Sequence, residues 1–181
     1  MDVIQTKIPE VFIIQPQVFG DDRGFFLESF NQKKFQDKTG IDTNFVQDNH
    51  SRSQKNVLRG LHYQIRQPQG KLVRAIVGEI LDVAVDIRRH SPTFGQWVSC
   101  HLSASNKQQL WVPVGFAHGF HVISDVAEVL YKTTDYYAPE QERCIIWNDP
   151  ELQIDWENYA DPILSAKDQA GKFLKEADLY D

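Results

Sequence analysis

Between residues 11 and 147 the chain is a succession of short apolar runs separated by turn residues, and this constrains the fold more than any other feature. Runs rich in Val, Ile, Phe and Tyr that recur every ~8–12 residues are too short for a helical core but suit strands. Extended segments are expected at residues 11–14, 25–30, 45–50, 57–64, 71–77, 80–87, 95–102, 110–112, 127–134 and 144–147. A turn-rich loop, Phe19-Gly20-Asp21-Asp22-Arg23-Gly24, parts the first two, and Pro113 to His121 reads as a tight corner. Residues 71–77 and 80–87, joined at Gly78-Glu79, read as a hairpin. Two stretches depart from the pattern. Residues 32–39 before Gly40 form a short helix, and Ser165 caps a second over residues 164–177, with Asp168 at its third position. The expectation is one all-β domain over residues 1–181, a sandwich, jelly roll or small barrel with a few short peripheral helices.

At 181 residues the chain can bury a core without staples. Its net charge of −6 argues against a general nucleic-acid or acidic-membrane binder. Cys100 and Cys144 form no disulfide or zinc pattern, and no run of about 18 apolar residues offers a membrane span. With no signal-peptide pattern at the start, the cytoplasm is the expected compartment.

Polar residues in apolar strands mark the candidate site. In Val57-Leu58-Arg59-Gly60-Leu61-His62-Tyr63-Gln64, strict alternation sends Arg59 and His62 to opposite faces. One extra residue at Gly60, a bulge, would bring both to one side. Gln47 and Asn49 share a face, Lys71 has the parity of Val73 and Ala75, and the parity of Tyr131 with Ala127 and Val129 points its phenol inward.

These residues admit three chemistries. Pro113-Val114-Gly115-Phe116-Ala117-His118 matches the second half of the cupin metal signature, but the first half reads His62-Tyr63-Gln64, with no second histidine. The second reading is cofactor-free acid/base work, with His62 as base, Tyr131 as acid and Lys71 as the cation that holds an enolate oxygen. The third is a jelly roll that binds carbohydrate or nucleotide without catalysis.

Several blocks decide among them by resemblance. Phe19 to Glu28, Phe45 to Ser51, Asn56 to Gln64, Gly70 to Arg74, Trp111 to Phe120, Leu130-Tyr131-Lys132, Tyr136-Tyr137 and Leu164 to Asp168 are similar, in order, to the dTDP-4-dehydrorhamnose 3,5-epimerase family. The resemblance implies a cupin-type jelly roll, a homodimer, no metal and no cofactor. It also implies inversion of C3 and C5 of dTDP-4-dehydro-6-deoxy-D-glucose in the synthesis of dTDP-L-rhamnose for surface polysaccharide. By the same resemblance His62 is the base, Asp168 orients it from a tail helix folded back on the barrel, Tyr131 is the acid and Lys71 holds the C4 oxyanion. Arg23 and Arg59 contact the diphosphate, with Gln47, Asn49 and Glu28 in the nucleotide region. His118, Tyr137, Glu142 and Lys167 complete the pocket, and Phe19 and Phe26 stack on thymine. Relatives of this fold that act at one carbon, and a sugar-nucleotide binder without activity, are the alternatives. Two departures from the family pattern stand out: Trp156-Glu157-Asn158, expected at a surface connection, and His121, expected near the pocket.

Overall fold

The computed structural model describes residues 1–157 and 161–181, so Asn158 lies outside the described residues. Four strands open the chain: β1 (Asp2–Gln5), β2 (Phe12–Gln15), β3 (Val18–Asp21) and β4 (Gly24–Leu27). Helix α1 (Gln32–Thr39) follows, and then β5 (Gln47–Gln54), β6 (Leu58–Gln64), β7 (Lys71–Val77) and β8 (Glu79–Asp86). The remaining strands are β9 (Trp97–Ser103), β10 (Gln109–Val112), β11 (Phe116–Val122), β12 (Val126–Thr133) and β13 (Glu142–Cys144), after which comes α2 (Ala166–Gln169).

Two antiparallel sheets carry the domain, one in the order β1-β2-β10-β7-β12-β5 and the other β13-β6-β11-β8-β9. Their facing sides form one core, in which Val73, Ala75 and Val129 of the first sheet meet Ile80, Ala84, Leu102 and Phe120 of the second. The outer face of the five-stranded sheet, with Leu58, Leu61, Val83 and Val85, is covered by Trp156, Leu174 and Ala177. Helix α1 covers part of the other outer face through Phe35, which meets Trp111 edge-on at 5.4 Å. The Val, Leu, Ile and Phe side chains among these contribute about 1.5–3 kcal/mol each when fully buried. Among the described residues no helix is long and apolar enough to cross a membrane.

Local signals act where the sequence places them. Asn31 accepts the Lys34 backbone N–H at the start of α1, and Gly40 closes it in the left-handed region at φ 72°. Three departures are instructive. Residues 71–77 and 80–87 are not a hairpin, because β7 pairs with β10 and β12 while β8 pairs with β9 and β11. The chain crosses between sheets at Gly78, and the Gly78-Glu79 sequence by itself does not distinguish the two topologies. The loop 19–24 is itself part of a hairpin, β3 and β4, which among the described residues pair with each other alone. The tail is not one helix over 164–177: α2 stops at Gln169, and a single 3-10 turn forms at Leu174–Glu176. Between them Lys172 donates to the Cys144 carbonyl and accepts from the Ile146 N–H, so strand-like bonding replaces the helix. Gly171 permits it, since a Cβ there would lie 2.8 Å from the Ile146 backbone. The predicted strand 144–147 is likewise displaced, to Glu142–Cys144, where it borders β6.

The Gly60 bulge is present. Cα partners run His62 with His118 and Arg59 with Phe120, three residues on β6 against two on β11. Gly60 takes φ 133°, and a Cβ there would meet the Gly119 Cα at 2.5 Å, so the close crossing of two glycine backbones admits no side chain.

Candidate active site

The bulge turns Arg59 and His62 into one cavity between the sheets, of about 320 Å3. Gln47 and Asn49 of β5, Lys71 at the start of β7, His118 of β11 and Tyr131 of β12 line it, with Tyr137, Glu142 and Lys167 at the rim. Ten of the sequence-predicted residues therefore line one cavity, and Asp168 stands behind His62.

His62 and Asp168 form a tight pair, Nε2 to Oδ1 at 2.6 Å. Asp168 is buried and makes three further bonds: the Ser165 hydroxyl donates to Oδ2 at 2.6 Å, the Gly60 N–H donates to Oδ1 at 3.2 Å, and its own N–H donates to Ser165 at 3.2 Å. Helix cap and histidine orientation are thus one arrangement. Burial would raise the Asp168 carboxyl, but His62 and Ser165 outweigh it and hold it at about 2. For His62 the balance goes the other way. Burial lowers it more than Asp168 raises it, and the imidazole stays below its ordinary value, neutral and able to accept a proton near pH 7.

Tyr131 enters from the opposite sheet. Burial, aided by Glu142, raises its phenol, which therefore keeps its proton for donation. Lys71 is buried and brought down to about 8, chiefly by burial. Among the described residues its ammonium makes one hydrogen bond, to the His62 carbonyl at 3.4 Å, and remains available to an incoming anion. A base on one sheet, an acid on the other and a cation in the same cavity suit proton removal beside a carbonyl with return to the opposite face.

The rim is cross-linked. Lys167 Nζ lies 2.7 Å from Glu142, which also accepts from the Tyr137 hydroxyl at 3.0 Å. Burial would raise Glu142, yet these two partners hold it below its ordinary value. Gln47 accepts the Tyr137 N–H and donates to Asn49, while the Arg59 Nε donates to Ser53 at 3.0 Å. Deeper in the cavity, His118 Nε2 lies 2.8 Å from Asp82 on β8.

Four predicted residues lie elsewhere. Phe19, Arg23 and Phe26 sit on the β3–β4 hairpin, where the Arg23 side chain is 90% exposed and bonded to Asp21; Glu28, just beyond, pairs with Lys34. His121 is turned away from the cavity and binds the Trp156 carbonyl, and Trp156 is fully buried rather than part of a surface connection. Ser51, Gln69 and Phe120 line the cavity without having been predicted, and Asp82 and Ser165 hold predicted residues in place.

The donor set does not fit a metal. Gln64, in place of the second cupin histidine, is spent on the Gln67 and Tyr136 carbonyls and the Ala138 N–H. His62, Cys144 and Asp168 have ligand atoms within 4.8 Å of one another. However, histidine and carboxylate in direct 2.6 Å contact leave no room for an ion between them. Burial also pushes the Cys144 thiol up to about 12.

Fold and cavity together define the class, a cupin-type epimerase, and the comparisons with known proteins give its family. A sequence model described as dTDP-4-dehydrorhamnose 3,5-epimerase matches residues 5–176. Similar curated relatives are the dTDP-4-dehydrorhamnose 3,5-epimerases of Pseudomonas aeruginosa, 63% identical, and Shigella flexneri, 58% identical, each alignment covering 99% of both chains. Among solved structures, the dTDP-6-deoxy-D-glucose-3,5-epimerase of Legionella pneumophila in complex with dTDP-4-keto-L-rhamnose superposes with a TM-score of 0.96 at 56% identity. That alignment covers 98% of this chain and 94% of the other. The chain belongs to the dTDP-4-dehydrorhamnose 3,5-epimerase family.

Proposed function

We propose that this chain inverts C3 and C5 of dTDP-4-dehydro-6-deoxy-D-glucose, giving dTDP-4-dehydro-L-rhamnose, with its own side chains alone. The observation that carries the reading is the placement of His62 and Tyr131 on opposing sheets of one cavity that the Lys71 side chain also lines. His62 takes the proton from the carbon beside the C4 ketone, and the electron pair moves onto the ketone oxygen. Lys71 meets that oxygen, and one such donor supplies about 3–4 kcal/mol to a developing oxyanion. Tyr131 then gives its proton to the carbon from the other face. Solvent takes the proton from the imidazolium and restores the phenol, and the same cycle serves the second carbon. Asp168 holds the imidazole in one tautomer and steadies its charge. The guanidinium of Arg59 suits the diphosphate. The test is proton NMR of the substrate in D2O: deuterium entering at both carbons with inversion is expected, whereas exchange at one or neither overturns the double inversion.

The working unit in this reading is a homodimer. A free two-stranded hairpin is marginal in water, yet β3–β4 exposes Phe19 at 56% and Phe26 at 70%. Its Arg23 and aromatic rings are matched to the nucleotide by family resemblance but do not line the cavity of their own protomer. The hairpin of one protomer therefore closes over the cavity of its partner. Mixing inactive Arg23→Ala and His62→Asn proteins should regenerate activity, because each mixed dimer holds one complete site. If mixing leaves the activity at background, the hairpin does not act across the interface.

A further inference from the structure

Asp82 holds His118, but that contact uses one of its two carboxylate oxygens. It sits on β8 with the parity of Ile80 and Ala84, facing the inter-sheet core, and is 0% exposed. One carboxylate oxygen accepts from His118, and because a carboxylate only accepts, His118 must carry its proton on Nε2. The other oxygen has no hydrogen-bond partner among the described residues. A buried carboxylate satisfied on one side by an imidazole needs a positive charge nearby. Lys71, entering from the facing sheet and 8% exposed, carries the complementary deficit.

We infer that Asp82 is a positioning residue for the reaction, a buried counter-charge that keeps the Lys71 ammonium charged and fixes the tautomer of His118. The inference rests on the proposed role of Lys71. The other groups around the lysine do not fill this place. Glu142 is engaged by Lys167 and Tyr137, Lys167 opposes the lysine charge, as does His62 whenever it is protonated, and Tyr131 is neutral. Asp82 leads the charges that resist the downward pull of burial on Lys71. Its loss lets the lysine fall further. Since an amine is charged only below its pKa, the basic limb of the rate profile then moves to lower pH.

Asp82→Asn separates charge from hydrogen bonding, because the amide oxygen still accepts from His118. The basic limb of kcat/KM should move down by about one pH unit from near 8, a loss of about fivefold at pH 8 that recovers toward the wild-type rate near pH 6.5. A limb that stays in place overturns the inference, since a merely structural role changes the rate equally at all pH. Thermal unfolding of Lys71→Met, Asp82→Asn and the double variant tests the pair without reference to catalysis. The double variant should melt above Lys71→Met, which strands the Asp82 charge; additive losses overturn the pairing. Should the wild-type protein invert neither carbon, the functional reading fails while the melting cycle still decides whether the two charges are paired.

Discussion

Replacing His62 by asparagine lowers the rate of deuterium entry at C3 and C5 by about 10^3-fold or more, the upper part of the range for losing a positioned general base. The substitution is chosen for what it preserves. An asparagine amide can still donate to Asp168, which otherwise becomes a buried carboxylate stripped of its main partner. Nucleotide affinity should change little, because Arg59 and the Gln47–Asn49 pair make no hydrogen bond to His62 and are held by other partners. The expected pattern is therefore a collapse of kcat with KM near wild type and an unchanged circular dichroism spectrum. Exchange within tenfold of wild type at either carbon would remove His62 from the role of base there.

The arrangement behind that prediction was partly legible in the sequence. Period-two alternation gives which side chains share a face, so the inward parity of Lys71 and Tyr131 and the pairing of Gln47 with Asn49 could be read directly. The Gly60 bulge was legible as the one-residue insertion that would bring a polar pair three residues apart to the same side, although Arg59 as an edge charge and His62 as an interior histidine fitted the strand without it. Alternation does not say which strand lies alongside. Residues 71–77 and 80–87 therefore read as a hairpin, although β7 and β8 belong to facing sheets. The tail misled for a related reason. Its helical spacing is real over Ala166–Gln169, but backbone pairing of Lys172 with Cys144 and Ile146, a contact remote in sequence, ends the helix.

Asp82 shows where alternation fails at the site. An acid alternating with Val83, Val85 and Ile87 normally marks a solvent face. The five-stranded sheet is instead covered on both sides, by the facing sheet and by the C-terminal segment, so the polar face is an interior one. Family resemblance supplied Asp168 and the rim residues, which no local pattern distinguishes from a helix cap or a solvated charge. It also supplied Arg23, Glu28, Phe19 and Phe26, which the structure places on and beside the β3–β4 hairpin and not in the lining of the cavity.

Replacing Tyr131 by phenylalanine separates the two halves of the reaction. With His62, Asp168 and Lys71 intact, the carbon acid still loses its proton and the enolate still meets its cation. Without the phenol the acid assigned to the opposing sheet is gone, Lys71 on that sheet is engaged at the enolate oxygen, and His62 returns deuterium to the face from which it took hydrogen. Deuterium therefore enters the starting sugar with configuration retained, while inversion falls by about 10^2–10^4-fold, the usual contribution of a positioned acid. The loss should hold across neutral pH, since burial keeps the wild-type phenol protonated throughout that range. The substitution removes one oxygen and leaves the ring that packs beside Val129 and Val73. NMR in D2O reads both quantities in one sample, with exchange from the loss of proton signal and inversion from the appearance of the product's coupling pattern. If inversion proceeds at the wild-type rate, water or another group supplies the proton, and Tyr131 is a wall of the cavity rather than its acid.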